Sequence, residues 1–117
     1  MGDRVLFQVV GEDEFSPVIY AHWSGSNTPE VCRKVKLRMK DRPNDVQYTA
    51  ARIVQILTGD DNSSTGFGIW NAEKILTKDE SNGDAGVVLV RVGEKMRFEC
   101  LGGYLRIGKD GYPTAGD

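Results

Sequence analysis

The spacing of apolar positions along this chain predicts a sheet of about five strands. Residues 87–90 are all apolar, as expected for a strand that is covered on both faces. After them, Met96, Phe98 and Cys100 alternate with charged residues, which is typical of a strand with one face in water. The predicted strands are residues 4–10, 17–21, 65–70, 86–92 and 95–101, and residues 104–107 are expected to extend the sheet.

Two segments with helical spacing lie between the second and third strands. The pair Thr28 and Pro29 is typical of an N-cap followed by the first helical residue, and it predicts a helix over 29–42. A second helix is predicted to run to residue 58, with Asn44 or Asp45 as its N-cap. The two helices are therefore expected to follow each other closely in a hairpin or a sharp corner.

The order of these elements predicts an α+β fold, in which a mostly antiparallel sheet of about five strands packs against a two-helix layer. A length of 117 residues fits one domain. We predict that this domain covers residues 1–107 and that residues 108–117 form a flexible C-terminal tail. Residues 72–76 fit a short helical turn or part of a strand, and both interpretations stay open at this point.

Composition and charge narrow the classes of function. Hydrophobic residues make up 39% of the chain and charged residues 27%, which is typical of a soluble globular protein. No apolar run approaches the roughly 18 residues of a membrane span, and the N-terminus has no signal-peptide layout. We therefore expect a cytoplasmic protein that does not bind membranes. The net charge of −2 argues against a duplex nucleic acid as partner.

Basic residues cluster in the first predicted helix, from Arg33 to Arg42. This pattern indicates a solvated helix face or, alternatively, a platform for an anionic partner. Cys32 and Cys100 form no CxxC pair and are expected to be free thiols. With one histidine in the chain, neither a metal site nor a cofactor is predicted.

The connection between the second strand and the first helix carries the most suggestive chemistry. His22 can titrate near neutral pH and Trp23 has a large aromatic face. Ser24 and Ser26 precede a helix N-terminus, where free N–H groups favour an anion. These residues predict a binding site, although the same residues also fit a purely structural corner between the sheet and the helices.

Two motifs resemble those of a family of small uncharacterised proteins from phages and bacterial mobile elements. They are Tyr-x-His-Trp-x-Gly at 20–25 and Thr-Gly-Phe-Gly-Ile at 65–69, with Asp45, Tyr48 and Arg52 between them. The match covers roughly residues 20–69, and a late strand of the family is similar to residues 87–92. The resemblance brings no assigned reaction. It implies an accessory protein that disarms a host defence, by sequestering a nucleotide signal or by occluding a host protein.

The leading hypothesis is therefore a non-enzymatic protein that sequesters a small anionic, nucleotide-like ligand. A tryptophan would stack on the base, hydroxyl and N–H groups would hold phosphates, and a cation would add charge. The predicted ligand-binding residues are His22, Trp23, Ser24, Ser26, Thr28, Arg52, Phe67 and Trp70. A homo-oligomer is expected, because sequestering proteins often build pockets at subunit boundaries. The alternatives are an inhibitor that binds a host protein and a small hydrolase that uses His22.

Overall fold

A five-stranded sheet forms the centre of the protein. The computed structural model describes residues 3–59 and 61–116, so residues 1, 2, 60 and 117 lie outside the described part. The strands are β1 (Val5–Val10), β2 (Val18–Ala21), β3 (Phe67–Trp70), β4 (Gly86–Arg91) and β5 (Arg97–Leu101). Their order is β3-β2-β1-β4-β5, and only the β1–β4 pair is parallel among them. The predicted α+β fold with a mostly antiparallel sheet is confirmed.

Two helices, α1 (Thr28–Arg38) and α2 (Val46–Thr58), cover one side of the sheet, which we call the helical face. Phe7 from β1, Val35 from α1 and Ile53 from α2 are fully buried where these layers meet. Burying each such side chain contributes about 1.5–3 kcal/mol. The main core therefore lies between the helices and the sheet.

The helix boundaries agree with the prediction for α2 and differ for α1. Asp45 caps α2 by accepting the Tyr48 backbone N–H at 2.9 Å. Helix α1 ends at Arg38 instead of about Arg42, since a turn follows in which the Arg42 N–H donates to the Met39 carbonyl. Pro43 disfavours a helical conformation in Arg42, the residue before it, so the helix does not continue through residue 42.

A loop covers part of the other side of the sheet, which we call the far face. Residues 72–76 form neither a strand nor a helix, and Leu76 from this loop is buried against the sheet. Gln8 of β1, itself fully buried, fixes the loop in place. Its amide group donates to the carbonyls of Ser16 and Lys74, and its carbonyl oxygen accepts the Leu76 N–H at 2.8 Å.

The C-terminal segment does not extend the five-stranded sheet, contrary to the prediction for residues 104–107. The flexible tail over residues 108–117 stays a prediction. Strands β6 (Arg106–Ile107) and β7 (Pro113–Thr114) pair with each other in a separate two-stranded sheet. Pro113 is buried, and the Tyr112 ring lies 5.6 Å from that of Phe98. Apolar side chains of this segment are thus removed from water by packing against the rest of the protein, which stabilises the position of the segment.

Neither helix is long and apolar enough to span a bilayer in the part of the chain that the structure describes.

Candidate ligand-binding site

Four aromatic side chains lie in a row beside the outer edge of the sheet, and we call them the aromatic surface: Tyr20, His22, Trp23 and Trp70. The ring of Tyr20 is centred 5.7 Å from Trp70 and 6.0 Å from His22. The His22 ring meets Trp23 edge to face at 4.6 Å. These separations are those of aromatic pairs in contact.

The pairing of β2 with β3 produces this arrangement. Tyr20 lies in β2, and His22 directly follows the last residue of this strand. Since the two are separated by one residue, the alternation of side chains brings both to the same side of the sheet. In the adjacent edge strand, Gly68 is the register partner of Tyr20, and Trp70 lies two residues further along that strand. Gly68 has no side chain, and the Trp70 ring lies beside this position, where a Cβ atom would be 3.8 Å from Cζ3 of Trp70.

The glycine-rich turn before β3 accommodates Trp23. Gly66 has a φ of +100°, a conformation that glycine adopts without strain. A Cβ atom at this position would lie 3.1 Å from Cζ3 of Trp23, so a larger residue would crowd the indole. The Gly66 carbonyl also accepts the His22 backbone N–H at 2.8 Å. The two sequence motifs are therefore in direct contact.

Much of the aromatic surface is open to solvent. Trp23 is 60% exposed and Trp70 is 49% exposed, whereas Tyr20 and His22 are half-buried between them. Large exposed aromatic residues that touch one another are uncommon on a monomer surface and often mark a place of binding.

Polar groups border the aromatic rings. The Tyr20 hydroxyl and Nδ1 of His22 form a hydrogen bond of 2.5 Å. Arg4 pairs with Asp84 at 2.9 Å between Nε and Oδ2. Hydrogen bonding to Arg4 is the main reason why the pKa of Asp84 is lowered, and the charge of His22 adds a smaller effect in the same direction. Sequence reasoning missed Tyr20, although its two-residue spacing from His22 was a usable signal. It also missed Arg4 and Asp84.

Ser26, one of the predicted ligand-binding residues, lies in a short 3-10 turn (Gly25–Asn27) that precedes α1. Its N–H donates to the Asp3 carboxylate at 2.7 Å, so a carboxylate of the chain already binds this N–H. Hydrogen bonds from Tyr104 and Ser26 lower the pKa of Asp3, although partial burial opposes them. Asn27 occupies the N-cap position in place of Thr28. Thr28 is the first helical residue and is fully buried, with its hydroxyl unpartnered among the described residues.

Three further predicted residues lie away from the aromatic surface. Ser24 lines a small cavity between α1 and α2, together with Asn27 and Lys34. Phe67 packs against the core of the helical face. Arg52 lines a different cavity on the outer side of α2. The structure thus brings together His22, Trp23 and Trp70 from the predicted set and separates the rest.

Comparison of the chain with protein-family models, with curated proteins and with solved structures gave no match. The resemblance to the phage family therefore remains an expectation from the sequence.

Proposed function

We propose that this protein binds a small, planar, anionic ligand of nucleotide type on the aromatic surface and holds it without converting it. The observation that supports this proposal is the unbroken row of ring contacts from Trp23 through His22 and Tyr20 to Trp70. An exposed indole stacks on any nucleobase, and each such contact contributes about 1–3 kcal/mol.

The polar border of the surface favours an anionic ligand. Arg4 adds a guanidinium close to Tyr20, although Asp84 already offsets part of its charge. A ligand phosphate that competes with Asp84 for Arg4 would form the stronger, charge-assisted type of hydrogen bond.

The biological role in the proposal comes from the sequence resemblance. A phage-type accessory protein that holds a nucleotide signal would lower the concentration of that signal in the host and so counter a host defence. Removal by binding requires affinity and a sufficient amount of protein, whereas it requires no chemical step. In this role the ligand is released intact when the protein unfolds.

The proposal includes a homo-oligomer. The aromatic surface lies next to β3, which is an edge strand of the sheet, and Ile69 on that strand is 58% exposed. A second copy seated along this edge would cover Trp23 and Trp70 and would turn an open surface into an enclosed pocket. Enclosure strengthens binding because it removes more of the ligand surface from water.

A ligand-recovery experiment tests the proposal. The protein is incubated with a mixture of nucleotides and cyclic nucleotides, separated from free ligand, and heat-denatured. Mass spectrometry should then detect one compound of the mixture, unchanged, among the released molecules. A cleaved product among the released molecules would favour the hydrolase over the binding function, provided that it forms with turnover and is absent with His22→Ala.

Matched variants locate the site. Trp23→Ala should weaken binding by about 1–3 kcal/mol, as loss of one stacking contact does. Leu37→Ala is the control, because Leu37 is a similarly exposed apolar side chain, at 68%, on α1. Equal affinities of both variants and the parent would place the ligand elsewhere.

One observation favours a second candidate function, the inhibition of a host protein. Beside the edge strand β3 lies an apolar groove lined by Ile19, Leu57, Phe67 and Ile69. An extended segment of a partner would add a strand to β3 and place alternate side chains in this groove. This function would be favoured if the protein binds a host protein, if Ile69→Lys abolishes that binding, and if the protein binds no nucleotide.

A further inference from the structure

Three arginine side chains line one open cavity on the helical side of the protein. Arg38 comes from the last turn of α1, Arg42 from the turn after it, and Arg52 from the middle of α2. The cavity has a volume of about 380 Å³. It is formed by different elements from those that carry the aromatic surface, so it is a separate candidate site.

Neighbouring side chains hold two of these guanidinium groups in place. The Oε1 atom of Gln55 accepts a hydrogen bond of 2.7 Å from Arg38. The guanidinium carbon of Arg42 lies 4.7 Å from the centre of the Tyr48 ring, in a cation–π contact. Because these side chains are already held in place, they lose less conformational entropy when a ligand binds.

Arg52 has an unmet requirement for an acceptor. Its Nε atom is buried, and it has no hydrogen-bond partner in residues 3–59 and 61–116. A buried donor without a partner is costly, most of all on a charged group. Arg52 lines the cavity, and negative charge placed there would stabilise its guanidinium group.

The carboxylates of the cavity do not balance its positive charge. Asp41 lines it, and Asp45 lies 3.4 Å from Arg42. The carboxylate of Asp45 is also committed to capping α2, where it accepts the Tyr48 N–H. Among the residues that the structure describes, two carboxylates therefore face three guanidinium groups, which leaves net positive charge.

We propose that this cavity is a second anion site, specific for a phosphate or pyrophosphate group of a small molecule. One guanidinium group can donate two parallel hydrogen bonds to two oxygens of a phosphate. Several guanidinium groups around one cavity favour a ligand with more than one negative charge. This inference is independent of the proposed function, because it involves no residue of the aromatic surface.

Titration of the protein with inorganic pyrophosphate at low ionic strength tests the site. We expect saturable binding to one site per chain by calorimetry, which weakens as sodium chloride is added. In NMR spectra the Nε–H signal of Arg52 should shift along the same titration curve. Arg52→Gln should weaken binding about tenfold or more, since a hydrogen bond to a charged group is lost.

Further variants separate a specific site from general charge. Arg38→Gln removes an exposed guanidinium from the cavity and should also weaken binding, which covers the case that Arg52→Gln does not fold. Arg97→Gln removes an exposed arginine from β5, outside the cavity, and should bind like the parent. Equal losses in Arg97→Gln and Arg52→Gln, an Arg52→Gln affinity within twofold of the parent, or no saturable binding would each overturn the proposal. Trp23→Ala should leave pyrophosphate affinity unchanged.

Discussion

Replacement of Gln8 by methionine should destabilise the protein strongly, although the volume of the side chain hardly changes. Gln8 is fully buried in β1 and makes three hydrogen bonds to backbone groups of the far face. Methionine fills the same space but offers no strong donor or acceptor. The variant would leave the Leu76 N–H and the Ser16 carbonyl buried without partners, whereas the Lys74 carbonyl is partly open to water.

Each unsatisfied buried group costs about 1–3 kcal/mol, so Gln8→Met, which leaves two of them, should lose about 2–6 kcal/mol in total. This is a large share of the roughly 5–15 kcal/mol that stabilises a typical domain. Urea unfolding should show a lower midpoint with an unchanged slope, and the Leu76 amide should exchange its hydrogen faster. Gln47→Met is the control and should lose less than about 0.5 kcal/mol, because Gln47 is exposed and its side chain bonds to the exposed Glu14. A loss below about 1 kcal/mol in Gln8→Met, with Leu76 still protected, would refute the reasoning.

Three further predictions concern the core, the thiols and acid stability. Ile53→Ala should cost about 2–5 kcal/mol in denaturant melts, because Ile53 is fully buried; a loss under about 1 kcal/mol would contradict its position in the core. Burial raises the pKa of Cys32 strongly and that of Cys100 to about 11, so iodoacetamide at pH 8 should alkylate the folded protein far more slowly than the urea-unfolded chain. Arg4 lowers the pKa of Asp84, so this carboxylate stabilises the fold above its unfolded pKa of about 3.9, and the stabilisation is lost as the pH falls through the lower folded value. The stability difference between the parent and Asp84→Asn should accordingly be larger at pH 6 than at pH 2, and a constant difference would be inconsistent with this pair.

Much of the fold could be predicted because its signals are local. The continuous apolar run of β4 identified a strand buried on both faces, and the two candidate caps, Asn44 and Asp45, located the start of α2 to within one residue. The parallel pairing of β1 with β4 and the route of the loop over the far face could not be predicted in this way. Both depend on contacts between distant residues, such as the bond from Gln8 to the Lys74 carbonyl.

The candidate site was predictable only in part, for a similar reason. His22 and Trp23 are adjacent in the chain, whereas Trp70 joins them through the pairing of β2 with β3. Phe67 is three residues before Trp70 in the same strand, so strand alternation alone places the two on opposite faces. The hydrogen bond from the Ser26 N–H to Asp3 had no sequence signal, because it depends on where the N-terminal segment passes in space.

The tryptophan fluorescence of the protein provides the most direct test of the proposed function. The chain contains two tryptophans, Trp23 and Trp70, and both lie in the aromatic surface. Titration with nucleotides and cyclic nucleotides should quench this fluorescence saturably for at least one of them. Trp23→Phe and Trp70→Phe should each retain the part of the quenching that comes from the remaining tryptophan. The midpoint of each titration should equal that of the parent, apart from the change that one altered stacking contact causes. If no compound of the panel changes the fluorescence saturably, while the protein is folded and at its native oligomeric state, the aromatic surface is not a nucleotide site.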